Sequence, residues 1–215
     1  MQPSVPCILR SRLSAEKPNS IRRHDLYGAS ECQDRHSRKG DYLKVSAKST
    51  TTAARIADQL ASCGVRLIAS LPDNWVMDVI KTIDRDDRFV HVPVNREESA
   101  IGLCSGAYMG AMGSAALMGA SGFMTVVYAV TKINYTYEIP LFLMATLRGQ
   151  SGDHHKHHIS NGLYLLPVLN AINMPYQIID KPEEINLISR CYRHTRTYAR
   201  PMTVLFTRDL LRGAH

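Results

Sequence analysis

The sequence predicts an α/β domain in which a mainly parallel, doubly wound sheet lies between two layers of helices, a three-layer αβα arrangement. Short apolar runs alternate with longer segments of helical periodicity from about residue 49 onwards, which is typical of repeated strand–helix–strand units. The run at residues 140–147 is apolar at nearly every position, as expected for a central strand that helices cover on both faces.

Six strands and six helices are expected in alternation. Helix boundaries follow from Ser and Thr residues before the first helix, Gly64 after it and Pro182 at the start of the last, which are preferred residue types at these positions. Strands are predicted at residues 65–71, 89–94, 114–119, 140–147, 176–180 and 202–207. Helices are predicted at residues 53–63, 75–83, 123–137, 162–174 and 182–199, with one more between the second and third strands.

Polar residues follow four of the predicted strands, in segments 70–74, 95–98, 121–122 and 148–161. In a parallel α/β sheet the carboxyl ends of the strands line the crevice where ligands bind. The last of these segments is also longer than most connections in a compact domain, which itself indicates a function. The pattern therefore predicts a ligand site at this edge of the sheet.

Charge is distributed unevenly along the 215 residues. The first 50 residues hold ten Lys and Arg against five Asp and Glu, whereas the remaining residues hold 16 against 14, a net charge of only +2. We expect residues 1–46 to be a disordered N-terminal extension, with a folded regulatory arm as the alternative, and residues 47–212 to form one domain. A nearly neutral domain argues against nucleic acid as a partner.

Cysteine and hydropathy patterns indicate the compartment. The five cysteines show no paired spacing, which fits free thiols in a reducing cytosol better than disulfides or a zinc site. No apolar run is long enough to cross a bilayer. A cytoplasmic protein without a membrane partner is expected.

Small residues dominate the helix predicted after residue 96. Gly102, Gly106 and Gly110 each cost such a helix about 1 kcal/mol relative to alanine, so close packing against a neighbour is the expected reason for them. Glu97 and Glu98 begin the helix, where carboxylates suit its dipole. The alternative is that one of these two carboxylates points into a site.

The same segment carries a resemblance to a known family. Arg-Glu-Glu-x-Ala-x-Gly at residues 96–102, with Tyr108 ten residues after Glu98, resembles the pyrimidine-binding domain of thiamine diphosphate enzymes. It is most similar to the α subunit of sulfopyruvate decarboxylase and the equivalent half of phosphonopyruvate decarboxylase, over about residues 49–212. The resemblance implies that thiamine diphosphate is the cofactor and that Glu98 hydrogen-bonds its aminopyrimidine ring as the catalytic glutamate, with Glu97 as the fallback.

Two further loops match this family. The resemblance places Pro72, Ser121 and Gly122 against the cofactor, and it places Asp73 and Asn74 towards the substrate. Helix capping is the alternative role of the last two. The loop around Ser121 departs from the family's Asn-Ser-Gly-Leu-Gly-Asn at residues 120, 124 and 125, which puts either full activity or the substrate in doubt.

Four histidines lie within residues 153–160. By the resemblance, His154 and His155 are candidates for holding an acidic group of the substrate. A solvated loop without a role and a metal site are the alternatives. No metal site is predicted, because histidines in a flexible loop lack a defined coordination geometry.

The sequence lacks the Gly-Asp-Gly…Asn segment with which this family binds magnesium and diphosphate. The resemblance therefore implies half of an active site, completed by a separate diphosphate-binding β-type subunit that holds most of the Mg²⁺ contacts. The predicted function is a subunit of a 2-oxo acid decarboxylase, within a hetero-oligomer, acting on a sulfopyruvate- or phosphonopyruvate-like substrate. The alternatives are a non-catalytic module of the same fold and a basic protein that binds nucleic acid or metal.

Overall fold

The computed structural model describes residues 51–213, so the predicted extension at residues 1–46 lies outside the described residues. The domain is built on a six-stranded sheet whose strand order is β2-β1-β3-β4-β6-β5. Every neighbouring pair of strands is parallel, which confirms the predicted fold class. The strands are β1 Val65–Ser70, β2 Val90–Pro93, β3 Gly113–Met118, β4 Leu141–Thr146, β5 Tyr176–Ile179 and β6 Pro201–Phe206.

Helices connect the strands. They are α1 Thr52–Ser62, α2 Met77–Asp84, α3 Glu97–Met109, α4 Ala120–Phe123, α5 Val127–Ala129, α6 Ile159–Ala171, α7 Leu187–Tyr198 and α8 Arg208–Arg212. Two short 3₁₀ segments, Lys156–His158 and Pro182–Asn186, precede α6 and α7. Within the described part of the chain, no helix is both long and apolar enough to cross a bilayer.

Several element bounds differ from the sequence prediction. The last predicted helix, at residues 182–199, is a 3₁₀ segment as far as Asn186 and an α-helix only from Leu187 to Tyr198. Helix α2 begins at Met77 rather than at residue 75, because the Asp73 carboxylate accepts the Trp75 N–H at 2.9 Å and closes a turn there. The polar loop is shorter than predicted, since α6 already begins at Ile159. Helix α8 was not predicted, and the Thr207 side chain caps it by accepting the Leu210 N–H.

The predicted helix at residues 123–137 is a broken segment instead. Short α-helices α4 and α5 alternate with a 3₁₀ turn, Met124–Val126, and a π-helical stretch, Val130–Tyr135. Threonine hydroxyls along it donate to backbone carbonyls, as from Thr125 to Gly122 and from Thr131 to Tyr128. The regular helix α7 carries the same kind of bond at Thr195 and Thr197, so the hydroxyls alone do not cause the irregular winding.

A hydrophobic core lies on each face of the sheet. Alternate residues of β4 divide between them: Phe142 and Met144 pack with α1, α2 and α7, whereas Leu143 and Ala145 pack with α3 and α6. All six residues of β4 are buried. This confirms the prediction that the strand at residues 140–147 is covered on both faces.

The strand order creates a switch point between β1 and β3. From β1 the chain passes through α2 to β2 on one side, and then through α3 to β3 on the other. Because α2 and α3 pack on opposite faces of the sheet, the loops that follow β1 and β3 diverge and leave a crevice between them.

A chain of hydrogen-bonded side chains, buried at Ser70 and exposed at Asp84, ties β1, β2 and α2 together. The Ser70 hydroxyl lies 2.8 Å from His91 Nε2, and His91 Nδ1 lies 2.8 Å from an oxygen of Asp84. With the ring proton on Nδ1, Ser70 donates to the ring and the ring donates to Asp84. Ser70 is only 1% exposed, so this bond satisfies a hydroxyl that no water reaches.

Candidate active site

A cleft of about 290 Å³ opens at the carboxyl ends of β1, β3 and β4. Residues 72–74, which follow β1, and Ser121, which follows β3, line it as the sequence predicts. Arg148, His157 and His158, which follow β4, complete the lining. The cleft therefore occupies the switch point, and it brings four of the sequence-predicted site residues together.

Arg148 is a buried cation at the floor of this cleft. Its Nη2 donates to both oxygens of Asp73 at 2.7 and 2.6 Å, and its guanidinium carbon stacks 4.3 Å from the centre of the Trp75 ring. The Arg148 side chain is buried and that of Asp73 is mostly buried, at 15% exposure. Asp73 is thus fully engaged in holding Arg148, and a partner lost from such a pair would leave an uncompensated buried charge.

His158 and Asp153 extend the same network. Arg148 Nη1 donates to His158 Nε2 at 2.6 Å, and His158 Nδ1 donates to Asp153 at 2.8 Å. Although burial raises the pKa of the Asp153 carboxyl, hydrogen bonds from the Gly149 N–H, His158 and the His155 N–H outweigh it and lower that pKa to about 2. Ionised Asp153 therefore fixes the tautomer in which His158 accepts from Arg148.

Glycines allow the loops around the cleft to approach each other. A methyl group at Gly119 would overlap the Asp73 carboxylate, so the loop after β3 can lie directly against the loop after β1. Likewise, a methyl group on Gly149 would overlap the backbone of Gly162, and the reverse is also true. The end of β4 is thereby held against the start of α6.

The loop after β3 is also fixed by hydrogen bonds. The Thr146 hydroxyl accepts the Ala120 N–H at 2.9 Å, and the buried Asn161 donates from Nδ2 to the Ser121 hydroxyl at 3.0 Å. Ser121 itself is exposed on the cleft, so its hydroxyl proton is free to meet a ligand.

The two glutamates of α3 occupy different surroundings. The side chain against Gly122 is that of Glu97, and a methyl group at Gly122 would overlap its carboxylate. Glu98 instead accepts a hydrogen bond from Arg96 at 3.1 Å, with 32% of its side chain exposed. That bond from Arg96 is the main cause that lowers the pKa of Glu98. The structure therefore brings Gly122 together with Glu97 rather than with Glu98.

His154 and His155 lie outside the cleft. Both are exposed, and they line a neighbouring recess with Trp75, Arg208 and Arg212. The histidines of this loop that face the cleft are His157 and His158. Among residues 51–213, no three His, Cys, Asp or Glu side chains are arranged to hold a metal ion.

Sequence reasoning missed Arg148, Asp153 and His158 as individual site residues. Arg148 directly follows the most apolar strand, and the rule that ligands bind at strand carboxyl ends could have indicated it. Its pairing with Asp73 spans 75 positions in sequence, so no local pattern indicates it.

The fold and the cleft define a parallel α/β domain with an open cleft at the switch point of the sheet, the position where sheets of this kind usually bind ligands. No family model matches the sequence. Among solved structures, a 2-oxoglutarate:ferredoxin oxidoreductase from Magnetococcus marinus matches with a TM-score of 0.59 and 12% identity. The match covers 75% of this chain and 29% of that chain, and at this identity it shows the fold alone.

Curated proteins that are similar in sequence indicate the family, which the structural match alone does not. Sulfopyruvate decarboxylase subunit alpha of Methanocaldococcus jannaschii is 28% identical over 152 residues, covering 70% of this chain and 90% of the relative. The protein of the same name from Methanococcus maripaludis is 31% identical over 121 residues, 56% of this chain and 72% of the relative. Phosphonopyruvate decarboxylase of Streptomyces viridochromogenes is 25% identical over 62% of this chain, but only 34% of that protein is matched.

The chain belongs to the family of sulfopyruvate decarboxylase α subunits. This confirms the family that the segment at residues 96–108 predicts.

Proposed function

We propose that this chain is the pyrimidine-binding, α-type subunit of a thiamine diphosphate-dependent 2-oxo acid decarboxylase. The observation that carries the proposal is the position of Glu97, whose carboxylate lies against Gly122 beside the cleft of a chain from this family. The relatives carry the names of decarboxylase subunits, which supports the same activity for this chain.

The residues beside the cleft suit the aminopyrimidine ring of the cofactor. A carboxylate is the acceptor that a protonated ring nitrogen needs, and partial burial strengthens that hydrogen bond. Gly122 leaves room for the Glu97 carboxylate, while Ser121 and Pro72 line the cleft beside it. When bound, thiamine diphosphate supplies the electron sink for loss of carbon dioxide from a 2-oxo acid.

We assign the catalytic carboxylate to Glu97 on the strength of these positions. The family motif predicts Glu98 for this role, with Glu97 as the fallback, and Glu98 stays the alternative. Arg96 donates to one oxygen of the Glu98 carboxylate, whereas no ion pair engages Glu97 within the described residues. A carboxylate without a competing cation is the better acceptor for a ring N–H.

A 2-oxo acid with a second acidic group, such as sulfopyruvate or phosphonopyruvate, is the proposed substrate. The names of the relatives support it. Asn74 lines the cleft and is exposed, so its amide can contact the substrate directly. Asp73 acts through Arg148, because both of its oxygens accept from that guanidinium.

A separate β-type subunit would complete the site and hold most of the Mg²⁺ and diphosphate contacts. The chain matches only 38% of the longer sulfopyruvate decarboxylase of Methanosarcina acetivorans, which supports one half of a two-part enzyme. On α3, Gly102 and Gly106 are exposed, and a methyl group at either would meet no atom of residues 51–213 within 4 Å. We expect the partner to pack on this open face.

Reconstitution with a β-type partner tests the proposal. Glu97→Gln keeps the shape of the side chain but weakens its acceptor, so kcat should fall by two or more decades, about 3 kcal/mol or more. Glu98→Gln is the matched control, because it removes the same charge one residue away, and we expect a small effect. If only Glu98→Gln is inactive, the assignment shifts back to Glu98. If neither variant loses activity, the catalytic role of this segment is wrong.

A non-catalytic module of the same fold is the second candidate. Residues 120, 124 and 125 depart from the family segment around Ser121, which removes polar groups beside the cleft. This candidate predicts that the reconstituted complex assembles but releases no carbon dioxide from sulfopyruvate or phosphonopyruvate. Measurable turnover by the wild-type complex excludes it.

A further inference from the structure

A recess of about 430 Å³ lies beside the cleft but is lined by other residues. Trp75, His154, His155, Arg208 and Arg212 form most of its lining. We propose that this recess, which we call the basic recess, is an anion-binding site for a tetrahedral dianion of the phosphate or sulfate type. The site is separate from the proposed function, and its test requires neither cofactor nor partner.

A wall of packed side chains separates the basic recess from the cleft. Trp75 contributes to it by stacking on Arg148 at 4.3 Å, and Asp153 by accepting from His158 at 2.8 Å. Within the described residues, no side chain lines both spaces. An anion in the basic recess therefore contacts a different set of cations from a substrate in the cleft.

The two arginines of the basic recess are spaced so that they meet the same ligand. Arg208 and Arg212 lie four residues apart on α8, so they project from one face of the helix, and both line the recess. Like charges at this spacing repel each other. An anion between them removes that repulsion and gains charge-assisted hydrogen bonds from both guanidinium groups.

Nearby carboxylates offset only part of this positive charge. Asp153 lines the basic recess as well, but its side chain is only 3% exposed and faces its own donors, His158 and the Gly149 N–H. Asp209 is 61% exposed and lies 3.8 Å from Arg208, a surface pairing that contributes little. Asp180 and Asp209 line an adjoining recess of about 490 Å³, which shares Trp75, His154 and Arg208 with the basic recess; neither carboxylate lines the basic recess itself.

The donor set and the size indicate the ligand class. Guanidinium forks match the oxygen pairs of phosphate and sulfonate groups better than a point charge does. Imidazoles from His154 and His155 add further donors at the rim. The volume falls within the range of roughly 300–1,000 Å³ that is common for small-molecule sites, so a phosphorylated or sulfonated small molecule also fits.

Tryptophan fluorescence offers a direct assay, because Trp75 is the only tryptophan of the chain and lines the recess. The full chain is titrated with inorganic phosphate or with sulfate, and sodium chloride holds the ionic strength constant. We expect a saturable change with a dissociation constant on the order of 1 mM. A change that chloride reproduces, or that does not saturate, overturns the proposal.

Variants locate the site. Arg208→Gln and Arg212→Gln, made separately, should each weaken binding by about tenfold or more. Arg190→Gln removes the same charge from an exposed position of α7, and His157→Gln alters the cleft side of the histidine loop. Both controls should bind as the wild type does. Equal weakening by Arg190→Gln, or weakening by His157→Gln alone, overturns the proposal.

Acetate and methanesulfonate distinguish the ligand chemistry at equal ionic strength. Phosphate and sulfate should compete for one site, with methanesulfonate weaker because it carries a single charge. If acetate saturates the same fluorescence change at equal concentration, the site lacks preference for tetrahedral dianions and the proposed ligand class is wrong.

Discussion

Replacing Gly122 by alanine tests the central feature of the proposed site without changing a charge. The added methyl group would overlap Cγ, Cδ and Oε1 of Glu97. These atoms belong to the flexible end of a side chain, so Glu97 can rotate away at a cost of about 0.5–1.5 kcal/mol. Alanine is favoured over glycine in a helix by up to about 1 kcal/mol, which offsets this cost within α4. The free energy of unfolding should therefore change by no more than about 1 kcal/mol.

Function should respond very differently. Displacing a catalytic group by about 1 Å can lower the rate by about a hundredfold, so kcat/KM of the reconstituted complex should fall by about that factor. Thermal unfolding of the chain should shift by only about 2–4 °C. Gly110→Ala is the matched control, because a methyl group there meets its nearest atoms at an ordinary 3.5 Å.

A double variant decides whether Gly122 acts through Glu97. If it does, Glu97→Gln combined with Gly122→Ala should be no slower than Glu97→Gln alone, because the same interaction is already lost. Full activity of Gly122→Ala would refute the reasoning, and so would multiplicative losses in the double variant. A large fall in the unfolding temperature would show that Glu97 cannot move aside.

Three further predictions concern stability. The folded pKa of Asp153, about 2, lies below its ordinary value of 3.8, so its ionised form should stabilise the fold by about 2 kcal/mol above about pH 4 and lose this effect as the pH falls towards 2. The free energies of unfolding of the wild type and of Asp153→Asn, measured in urea, should converge as the pH falls from about 4 to about 2. A difference that stays constant with pH would contradict this prediction. Asp73→Asn leaves the buried Arg148 without its counter-charge and should cost about 3–5 kcal/mol in urea unfolding; a loss below about 1 kcal/mol would mean that water already solvates the pair. His91→Ala should cost about 1–3 kcal/mol in urea unfolding, because the buried Ser70 hydroxyl loses the one partner it has among the described residues, whereas His91→Gln should restore part of the lost stability.

The fold was predictable because local pattern and tertiary structure agree along most of the chain. The apolar run at 140–147 became β4, and each of the six predicted strands is present within about two residues of its expected bounds. The segment predicted as one helix at 123–137 is helical but irregular, with a 3₁₀ turn and a π-helical stretch, because an apolar spacing of three to four residues does not distinguish these windings.

The site was predictable only in part. Strand ends and family motifs indicated residues 72–74 and Ser121, which the structure brings into one cleft. The choice between Glu97 and Glu98 depends on which face of α3 meets Gly122, and a shift of one residue turns a helix by about 100°. The Arg148 network joins residues far apart in sequence, so only the folded chain reveals it.

The bonded chain of Ser70, His91 and Asp84 has a consequence for how hydrolases are recognised. Its two 2.8 Å contacts reproduce the order and the atoms of a serine–histidine–aspartate relay. A search for catalytic triads by geometric template would select these three side chains and classify the protein as a hydrolase. Yet a nucleophile must come within about 3 Å of a substrate carbonyl, and at 1% exposure Ser70 admits none. Fluorophosphonate reagents should leave Ser70 unlabelled, since solvent access and not the bonding pattern separates a structural triad from a catalytic one.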